Sequence, residues 1–195
     1  MELPTNGAKK KSLRQSFRVD RKFLVQPVTW NHLIDSIEFK SATMIASYIS
    51  YGDEPDTNGL NQTILESGKT LLLPRMRSDN FLDWVIWKGK IETLKTNKNI
   101  MEPIGDAIAP ERIKNIDFVI VPALHVDHSG NRLGQGGGYY DRALSLITGF
   151  KVALIYQGEL TSIELPQEVH DQTLDAAATP EILVRFSKNI KFKGL

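Results

Sequence analysis

The sequence predicts a single α/β domain built on a mostly parallel sheet. The first observation is the order strand, helix, strand between residues 43 and 73, because a β-α-β rhythm is typical of parallel sheets. The second is size, since 195 residues with 41% hydrophobic content suit one domain with a sizeable core. The third is a glycine-rich loop after the strand at 116–121. Open α/β sheets bind ligands at such strand ends.

Composition excludes several classes of function. The net charge of +1 gives no electrostatic case for nucleic acid or for an anionic membrane surface. The chain has no cysteine, which excludes disulfides and thiolate zinc sites. No apolar run approaches the length of about 18 residues that a membrane span needs. The N-terminus is polar and basic, without the apolar segment of a signal peptide. We therefore expect a cytoplasmic protein.

Residues 9–25 lack Pro and Gly and predict a helix. Its apolar face carries Leu13, Phe17 and Leu24. A basic stripe runs beside that face, formed by Lys10, Arg14, Arg18 and Arg21. Taken alone, a charge run is most often a solvated face. Beside a buried face, the same stripe is also well placed to reach a phosphate site.

The next segment predicts a strand at 43–49, a helix ending near Glu66, and a strand at 70–73 stopped by Pro74. Tyr51 and an acidic cluster at 53–56 follow the first strand, at an end where α/β sheets bind ligands. From sequence alone, Asp56 is at least as well explained as a helix cap.

Residues 81–88 are apolar on both sides, which predicts a buried strand. Core packing is the main interpretation of Trp84 and Trp87, and a ligand-pocket wall is the lesser one. Residues 100–103, which include Glu102, predict only a turn before a polar connection.

Residues 116–142 carry most of the functional signal. A buried strand at 116–121 ends at Pro122, turn formers follow, and residues 134–138 contain four glycines. A helix is predicted from Tyr139, with Leu144, Leu146 and Ile147 available for packing. A glycine loop that opens a helix presents unpaired N–H groups to an anion, most often phosphate. Flanking arginines, which suit phosphate, favour that interpretation over a flexible surface turn; they are Arg132 and Arg142.

Neither common nucleotide motif fits this loop. A P-loop needs Gly-Lys-Ser/Thr after its glycines, and Gly-Tyr-Tyr stands here. The dinucleotide fingerprint needs an early β-α-β unit, whereas this loop lies late in the chain.

The C-terminal third predicts a strand at 150–156 and a polar segment at 168–175 with a His170-Asp171 pair. A lone His-Asp pair is weak metal evidence, and a capped turn explains it as well. Residues 1–8 and 188–195 are expected to fray.

The run VPALHVDHSGNRLGQGGGYYDRAL resembles the signature of the 5-formyltetrahydrofolate cyclo-ligase (5,10-methenyltetrahydrofolate synthetase) family. That pattern continues through Gly-x-Arg-Leu-Gly-x-Gly-x-Gly-Tyr-Tyr-Asp. A second signature, Leu-Pro-x-Glu-x-His-Asp-x-x-Leu-Asp, is matched at 165–175. The resemblance extends in order from Lys10 to Thr179. It implies one three-layer domain over residues 1–195, related to sugar-phosphate isomerase and CoA-transferase-like folds.

The resemblance also implies a reaction. ATP and Mg²⁺ would drive the cyclisation of 5-formyltetrahydrofolate to 5,10-methenyltetrahydrofolate, releasing ADP and phosphate through an N5-iminium phosphate. Such phosphoryl transfer depends on positioning and charge neutralisation, and no acid or base is assigned. The partners expected are the small-molecule folate and ATP, with no nucleic acid, no membrane and a monomeric protein.

The resemblance carries roles to individual residues. The expected ATP-binding residues are Lys10, Arg14, Arg132, Leu133, Gly134, Gln135, Gly136, Gly137, Gly138, Tyr139 and Tyr140. The expected folate-binding residues are Tyr51, Asp56, Gln135, Gly136, Gly137, Gly138 and Tyr139. Asp141 and Asp171 are the expected Mg²⁺ ligands, as hard cations prefer carboxylates. Arg75 is a further candidate anion contact, and Glu102 and His125 are candidate pocket residues.

The sequence departs from the family pattern at two loop positions. Gln135 stands where some relatives have Arg, and Gly137 where some have Lys. Fewer cations in the loop leave room for a non-catalytic folate- or nucleotide-binding relative. Fold analogy alone leaves room for an isomerase or acyltransferase.

Overall fold

The computed structural model describes residues 5–187. Its helices are α1 (Asn6–Arg21), α2 (Asn31–Ile34), α3 (Ile37–Ser41), α4 (Asn58–Glu66) and α5 (Tyr139–Leu144). Its strands are β1 (Met44–Ala46), β2 (Thr70–Met76), β3 (Leu82–Ile86), β4 (Leu94–Asn97), β5 (Ile100–Pro103), β6 (Phe118–Pro122), β7 (His125–Asp127), β8 (Arg132–Leu133), β9 (Phe150–Leu154), β10 (Leu160–Thr161), β11 (Ala176–Ala178) and β12 (Leu183–Arg185). Short 3₁₀ turns cover Ile91–Thr93, Pro110–Asn115 and Gln157–Glu159.

A seven-stranded sheet in the order β12-β11-β9-β6-β1-β2-β3 forms the middle of the molecule. Its five inner strands pair in parallel, and the two edge strands β3 and β12 run antiparallel. The predicted mostly parallel sheet is therefore confirmed. Strands β7, β8 and β10 form a small separate sheet, and β4 and β5 form a hairpin.

Both faces of the central sheet are buried, which gives the predicted three layers. On one face the sheet packs against Leu33 of α2, Phe39 of α3 and Ile64 of α4. On the other it packs against Leu144 and the following Ile147. Covering both faces explains why the inner strands are continuous apolar runs without polar alternation.

Helix α1 begins three residues earlier than predicted and ends four residues earlier. The Thr5 hydroxyl accepts a hydrogen bond from the Ala8 N–H at 3.3 Å and caps the first turn, so residues 6–8 are helical. The helix ends at Arg21, whose buried guanidinium pairs with Glu159 at 2.6 Å and also donates to the Ala123 carbonyl oxygen. The other residues expected to fray, 1–4 and 188–195, lie outside the described part of the chain.

Several predicted strand bounds need correction, since the strand predicted at 116–121 is regular at Phe118–Pro122 and the strand predicted at 150–156 ends at Leu154. The strand expected at 43–49 is regular only from Met44 to Ala46, and the rest forms a loop toward the cavity described below. The strand expected to stop at Pro74 continues to Met76. The Leu72 carbonyl oxygen of β2 accepts a hydrogen bond from the Ser47 N–H, so it faces β1, and the nitrogen of Pro74, two residues later, faces the same way. Strand β1 ends at Ala46, before it would reach Pro74. Proline has no N–H to donate, and here no neighbouring strand requires one.

Further corrections concern apolar residues near the edge of the molecule. Ile86 of β3 is 41% exposed because β3 is the last strand of the sheet. Leu146, expected to pack, is 50% exposed, whereas Leu144 and Ile147 are buried. Helix α5 ends at Leu144, so its helical spacing does not carry over to Leu146.

Residues 100–103 form strand β5 instead of the predicted turn. The turn comes earlier, at Lys98 and Asn99, which both adopt positive φ between β4 and β5. Asn tolerates this left-handed conformation better than most residues. No helix within residues 5–187 combines the length and apolarity needed to cross a bilayer.

Candidate active site

A cavity of about 340 Å³ opens where the central parallel strands end. Its wall is contributed by α1, the loop after β1, the end of β2, strand β5, the glycine loop 134–138 and the loop around Asp171. The position follows from the topology, because the carboxyl ends of parallel strands open toward one edge of the sheet. Residues far apart in sequence therefore meet in one place.

Helix α1 holds the glycine loop. The Arg14 Nε donates to the Gly134 carbonyl oxygen at 2.8 Å. Gly136 has a φ of 103°, and an added Cβ would lie 3.3 Å from the Arg14 Cζ. Any larger residue at 136 would be strained and would push against the guanidinium. The backbone at Gly136 therefore passes directly against the Arg14 guanidinium. Such a close approach of loop backbone and cation suits a phosphate-binding loop.

Arg18 adds a second link between helix and loop. Its Nε donates to the Gln135 Oε1 at 3.0 Å, and its Nη2 donates to the Gln135 carbonyl oxygen at 3.1 Å. These two contacts hold Gln135 against α1, while Arg18 itself is exposed and is not among the residues of the cavity wall. Sequence spacing alone did not show this contact.

All three expected ATP-binding cations line the cavity, namely Lys10, Arg14 and Arg132. Burial lowers the pKa of the Arg14 guanidinium, and the neighbouring Arg18 lowers it further. Arg132 donates to the Asp141 Oδ1 at 2.8 Å, and its Nη1 donates to the Pro122 carbonyl oxygen at 3.2 Å. The basic stripe of α1 is thus not simply a solvated face.

The two expected metal ligands line the same cavity, each paired with a cation. Asp141 pairs with Arg132, and Asp171 pairs with the buried Lys10, which also contacts Glu168 at 2.9 Å. Burial opposes ionisation of Asp171, but the Lys10 ammonium and the Glu168 N–H together hold the pKa of Asp171 below its usual range.

Sequence reasoning missed Glu168 and His170 as site residues. Ligand atoms of Glu168, His170 and Asp171 lie within 4.8 Å of one another at the cavity wall. The carboxylate oxygens in this group suit Mg²⁺, a hard cation that keeps several waters and prefers one or two carboxylates. The His170-Asp171 pair had pointed to this segment, without saying which neighbours converge.

The acidic loop after β1 supplies Tyr51 and Glu54 to the cavity. Asp56, the expected folate contact, is exposed and is not part of the wall. Its Oδ1 accepts from the Ser50 hydroxyl at 3.2 Å and from the Asn58 Nδ2 at 2.7 Å. Asp56 therefore ties the loop to the start of α4, but it is not the helix cap expected from the sequence, because the N-cap position is Thr57. Glu54, two residues earlier, is the carboxylate that faces inward.

Burial raises the pKa of Glu54 to about 7. The Tyr51 N–H, the Arg21 guanidinium and the Gln135 side chain act in the opposite direction, and burial outweighs them. Tyr48 and Tyr140 also line the cavity, but their hydroxyl oxygens are buried and have no hydrogen-bond partner among residues 5–187. Burial also raises the pKa of both phenols, so they stay protonated donors.

Glu102 belongs to the cavity wall but is fully engaged. Its Oε1 accepts from the Met76 N–H at 2.8 Å, and its Oε2 accepts from the Asn97 Nδ2 at 2.9 Å. It is 2% exposed and joins the β4–β5 hairpin to β2. Its neighbours Ile100 and Met101 give the cavity an apolar side.

Several other candidates lie outside the wall. Leu133 is buried in β8, and its backbone oxygen accepts from Leu124 in the small sheet. His125 stacks on Phe17 with ring centroids 3.5 Å apart. Arg75 forms an ion pair with Asp83 and donates to the Gly105 carbonyl oxygen. Arg142 donates to the Gly138 carbonyl oxygen. Trp84 and Trp87 pack in the hydrophobic cores on the two faces of the central sheet.

The arrangement combines three chemical features. Backbone N–H groups and cations suit a polyphosphate, carboxylates suit a divalent cation, and an apolar side with an aromatic rim at Tyr51 suits a flat ring system. Helix α5 has only six residues, so phosphate affinity would come from the loop and the cations more than from a helix dipole.

Comparison with known proteins gives a consistent result. The sequence profile described as the 5-formyltetrahydrofolate cyclo-ligase family matches residues 6–180. A 5-formyltetrahydrofolate cyclo-ligase of Mycolicibacterium smegmatis is 36% identical over 149 residues, covering 72% of this chain and 75% of that protein. The Escherichia coli protein of the same name is 31% identical over 143 residues, covering 71% and 79%.

A solved structure is similar over nearly the whole chain. The Aquifex aeolicus 5,10-methenyltetrahydrofolate synthetase superposes with a TM-score of 0.73 at 28% identity, covering 95% of both chains. A Mycoplasma pneumoniae 5,10-methenyltetrahydrofolate synthetase, at 18% identity and a TM-score of 0.61, shares the fold.

Proposed function

The chain belongs to the 5-formyltetrahydrofolate cyclo-ligase family and forms 5,10-methenyltetrahydrofolate from 5-formyltetrahydrofolate, and we propose that it does so with ATP and Mg²⁺ in the cavity described above. The observation that carries the proposal is the meeting of the glycine loop, the cations of α1 and two carboxylates on one cavity wall.

In this proposal ATP lies along the glycine loop. Its phosphates contact the N–H groups of 134–138 and exchange ion pairs with Lys10, Arg14 and Arg132. These side chains already face the cavity, so they need small movements to change partners. Bidentate arginine contacts fix the orientation of a phosphoryl group more strictly than a point charge does.

Mg²⁺ would be held by Asp141 and Asp171, with phosphate oxygens and water completing its coordination. Glu168 lies beside Asp171 and already contacts Lys10 at 2.9 Å, so Lys10 would keep a carboxylate partner when Asp171 turns to the ion. When bound, the ion supplies charge neutralisation for the transferring phosphoryl group. The folate would lie against Tyr51, the apolar side at Ile100 and Met101, and the loop from Gln135 to Tyr139.

The formyl oxygen is a poor leaving group until it is phosphorylated. We expect that oxygen to attack the γ-phosphorus of ATP, giving the N5-iminium phosphate and ADP. The N10 amine then attacks the activated carbon and phosphate leaves. The residues contribute mainly by holding donor and acceptor in line and by neutralising charge. The cytoplasmic location and the monomeric state expected from the sequence stay predictions.

The test is a spectrophotometric assay for 5,10-methenyltetrahydrofolate, with and without MgATP, combined with ADP quantification. We expect product only with MgATP and one ADP for each product. Turnover without ATP would indicate isomerase- or acyltransferase-type chemistry. Binding of both ligands without ADP would indicate a non-catalytic relative.

A further inference from the structure

Glu54 is held in a rigid turn that points its carboxyl group into the cavity. The Thr57 hydroxyl donates to the Tyr48 carbonyl oxygen at 2.8 Å and accepts from the Ser50 N–H at 3.0 Å. Within the turn, the Glu54 N–H donates to the Tyr51 carbonyl oxygen at 3.2 Å, and the Tyr51 N–H donates to the Glu54 Oε2 at 3.3 Å. The carboxyl group is therefore positioned before any substrate arrives.

Glu54 differs from the other carboxylates of the cavity within residues 5–187. Asp141, Asp171 and Glu168 each form an ion pair with Lys or Arg, and Glu102 accepts hydrogen bonds on both oxygens. Glu54 forms no salt bridge with a described Lys or Arg, and its donors are neutral, namely the Tyr51 N–H and the Gln135 side chain. It is thus the carboxyl group best able to accept a proton.

Four titratable groups face Glu54. Arg21 is committed to its buried pair with Glu159, and Tyr48, Tyr51 and Tyr140 are phenols whose pKa values burial raises. The hydroxyls of Tyr48 and Tyr140 have no partner in the described chain. Burial raises the pKa of Glu54 itself to about 7, so both of its protonation states are populated near neutral pH.

Ring closure releases a proton from N10, and a base has to accept it. The N10 amine carries one hydrogen, and its lone pair forms the new bond to the formyl-derived carbon. The N10–H bond then breaks and its proton moves to a base. The C–O bond to phosphate breaks with its electron pair, leaving the methenyl bridge between N5 and N10. No oxidant or reductant is involved.

We propose that Glu54 is the catalytic base that takes this proton from N10. The inference rests on the proposed function and adds an acid–base role to a reaction otherwise governed by phosphate positioning. It places the folate so that N10 lies at Glu54 while the formyl group faces the glycine loop. A general base of this kind contributes about 10²- to 10⁴-fold to rate.

The test separates the two chemical steps in single turnovers of the full-length protein. ADP formation reports phosphoryl transfer, and methenyl absorbance reports ring closure. For Glu54→Gln, which keeps the shape, we expect ADP to form within a few-fold of the wild-type rate. Ring closure should slow by about 100-fold or more, so that ADP precedes the methenyl product. The exposed Glu66→Gln on α4 is the matched control and should change neither step.

The pH profile gives a second readout. In the wild type, ring closure should accelerate as pH rises through about 7, because only the carboxylate accepts a proton. Glu54→Asp should retain this dependence at a lower rate, and Glu54→Gln should lose it. Circular dichroism verifies that both variants fold.

Three results would overturn the inference. One is normal ring closure in Glu54→Gln. Another is a rise in folate KM with unchanged kcat, which would make Glu54 a binding residue. A third is a flat pH profile in Glu54→Asp. If the wild type forms no ADP-coupled product, the proposed function fails and this inference fails with it. If the wild type turns over and Glu54→Gln closes the ring at the wild-type rate, the assignment of Glu54 as base is refuted and the proposed function stands.

Discussion

The buried ion pair between Arg21 and Glu159 should be one of the most costly polar contacts to break in this protein. Arg21 is 3% exposed and Glu159 is 0% exposed, and the contact is bidentate at 2.6 and 2.8 Å. Glu159 also accepts from the Tyr156 N–H at 2.8 Å. Glu159→Gln leaves the guanidinium buried without a counter-charge. Breaking such a pair costs about 3–5 kcal/mol.

That loss is a large share of the total, because domains have unfolding free energies of about 5–15 kcal/mol. At about 2–4 °C for each kcal/mol in a chain of this size, the midpoint of thermal unfolding should fall by about 10 °C. Urea unfolding monitored by circular dichroism measures the free energy, and an unchanged slope shows that the comparison is valid.

The control is the surface pair of Glu38 with Arg185, where Arg185 is 49% exposed. Glu38→Gln should cost about 1 kcal/mol or less, since water solvates both charges. If Glu159→Gln costs no more than Glu38→Gln, burial is not what makes the Arg21 contact strong, and the reasoning is refuted.

Three more predictions concern the cavity. Asp141→Asn should leave the protein folded by circular dichroism and lower Mg²⁺-dependent turnover by about 100-fold; full turnover would refute the metal role. Lys10→Met should raise the KM for ATP about tenfold in steady-state kinetics, because a charged hydrogen bond contributes about 1.5–3 kcal/mol, whereas Lys9→Met at an exposed position should not. Glu54→Gln should change the pH dependence of unfolding. The pKa of Glu54 is raised from 4.5 to about 7 on folding, so the wild type loses up to about 3 kcal/mol as pH rises across that window, and the variant should not.

The fold class could be predicted because it depends on patterns that are local in sequence. Continuous apolar runs such as 118–121 need burial on both faces, and a helix between two strands favours a parallel pairing. Strand ends could not be predicted, because the neighbouring strand decides them. Pro74 stays within β2 only because β1 stops beside it, and no local signal at Pro74 reports where β1 ends.

The sequence predicted where the candidate site lies, but it did not predict which side chains contact one another there. The glycine loop could be recognised as a binding loop because a flexible surface turn does not explain arginines placed beside its glycines. The acidic loop was ambiguous because Glu54 and Asp56 lie two residues apart in a turn, where the side-chain direction does not follow a fixed period. The structure turns Glu54 inward and ties Asp56 to Ser50 and Asn58. A resemblance transfers a position along the chain, and a side chain's direction depends on the local turn.

The charges of the cavity explain how it can keep cations and carboxylates buried together. Lys10 is 4% exposed between Glu168 and Asp171, and Arg132 is paired with Asp141, so each of these charges has a partner. Under the proposed function, MgATP would bring both kinds of replacement partner at once, phosphate oxygens for the cations and a divalent ion for the carboxylates. The exchange would leave the number of compensated charges nearly constant and so avoid the several kcal/mol that an unpaired buried ion costs. Either ligand alone would strand one half of these pairs, so this charge arrangement favours binding of ATP and the cation as one unit.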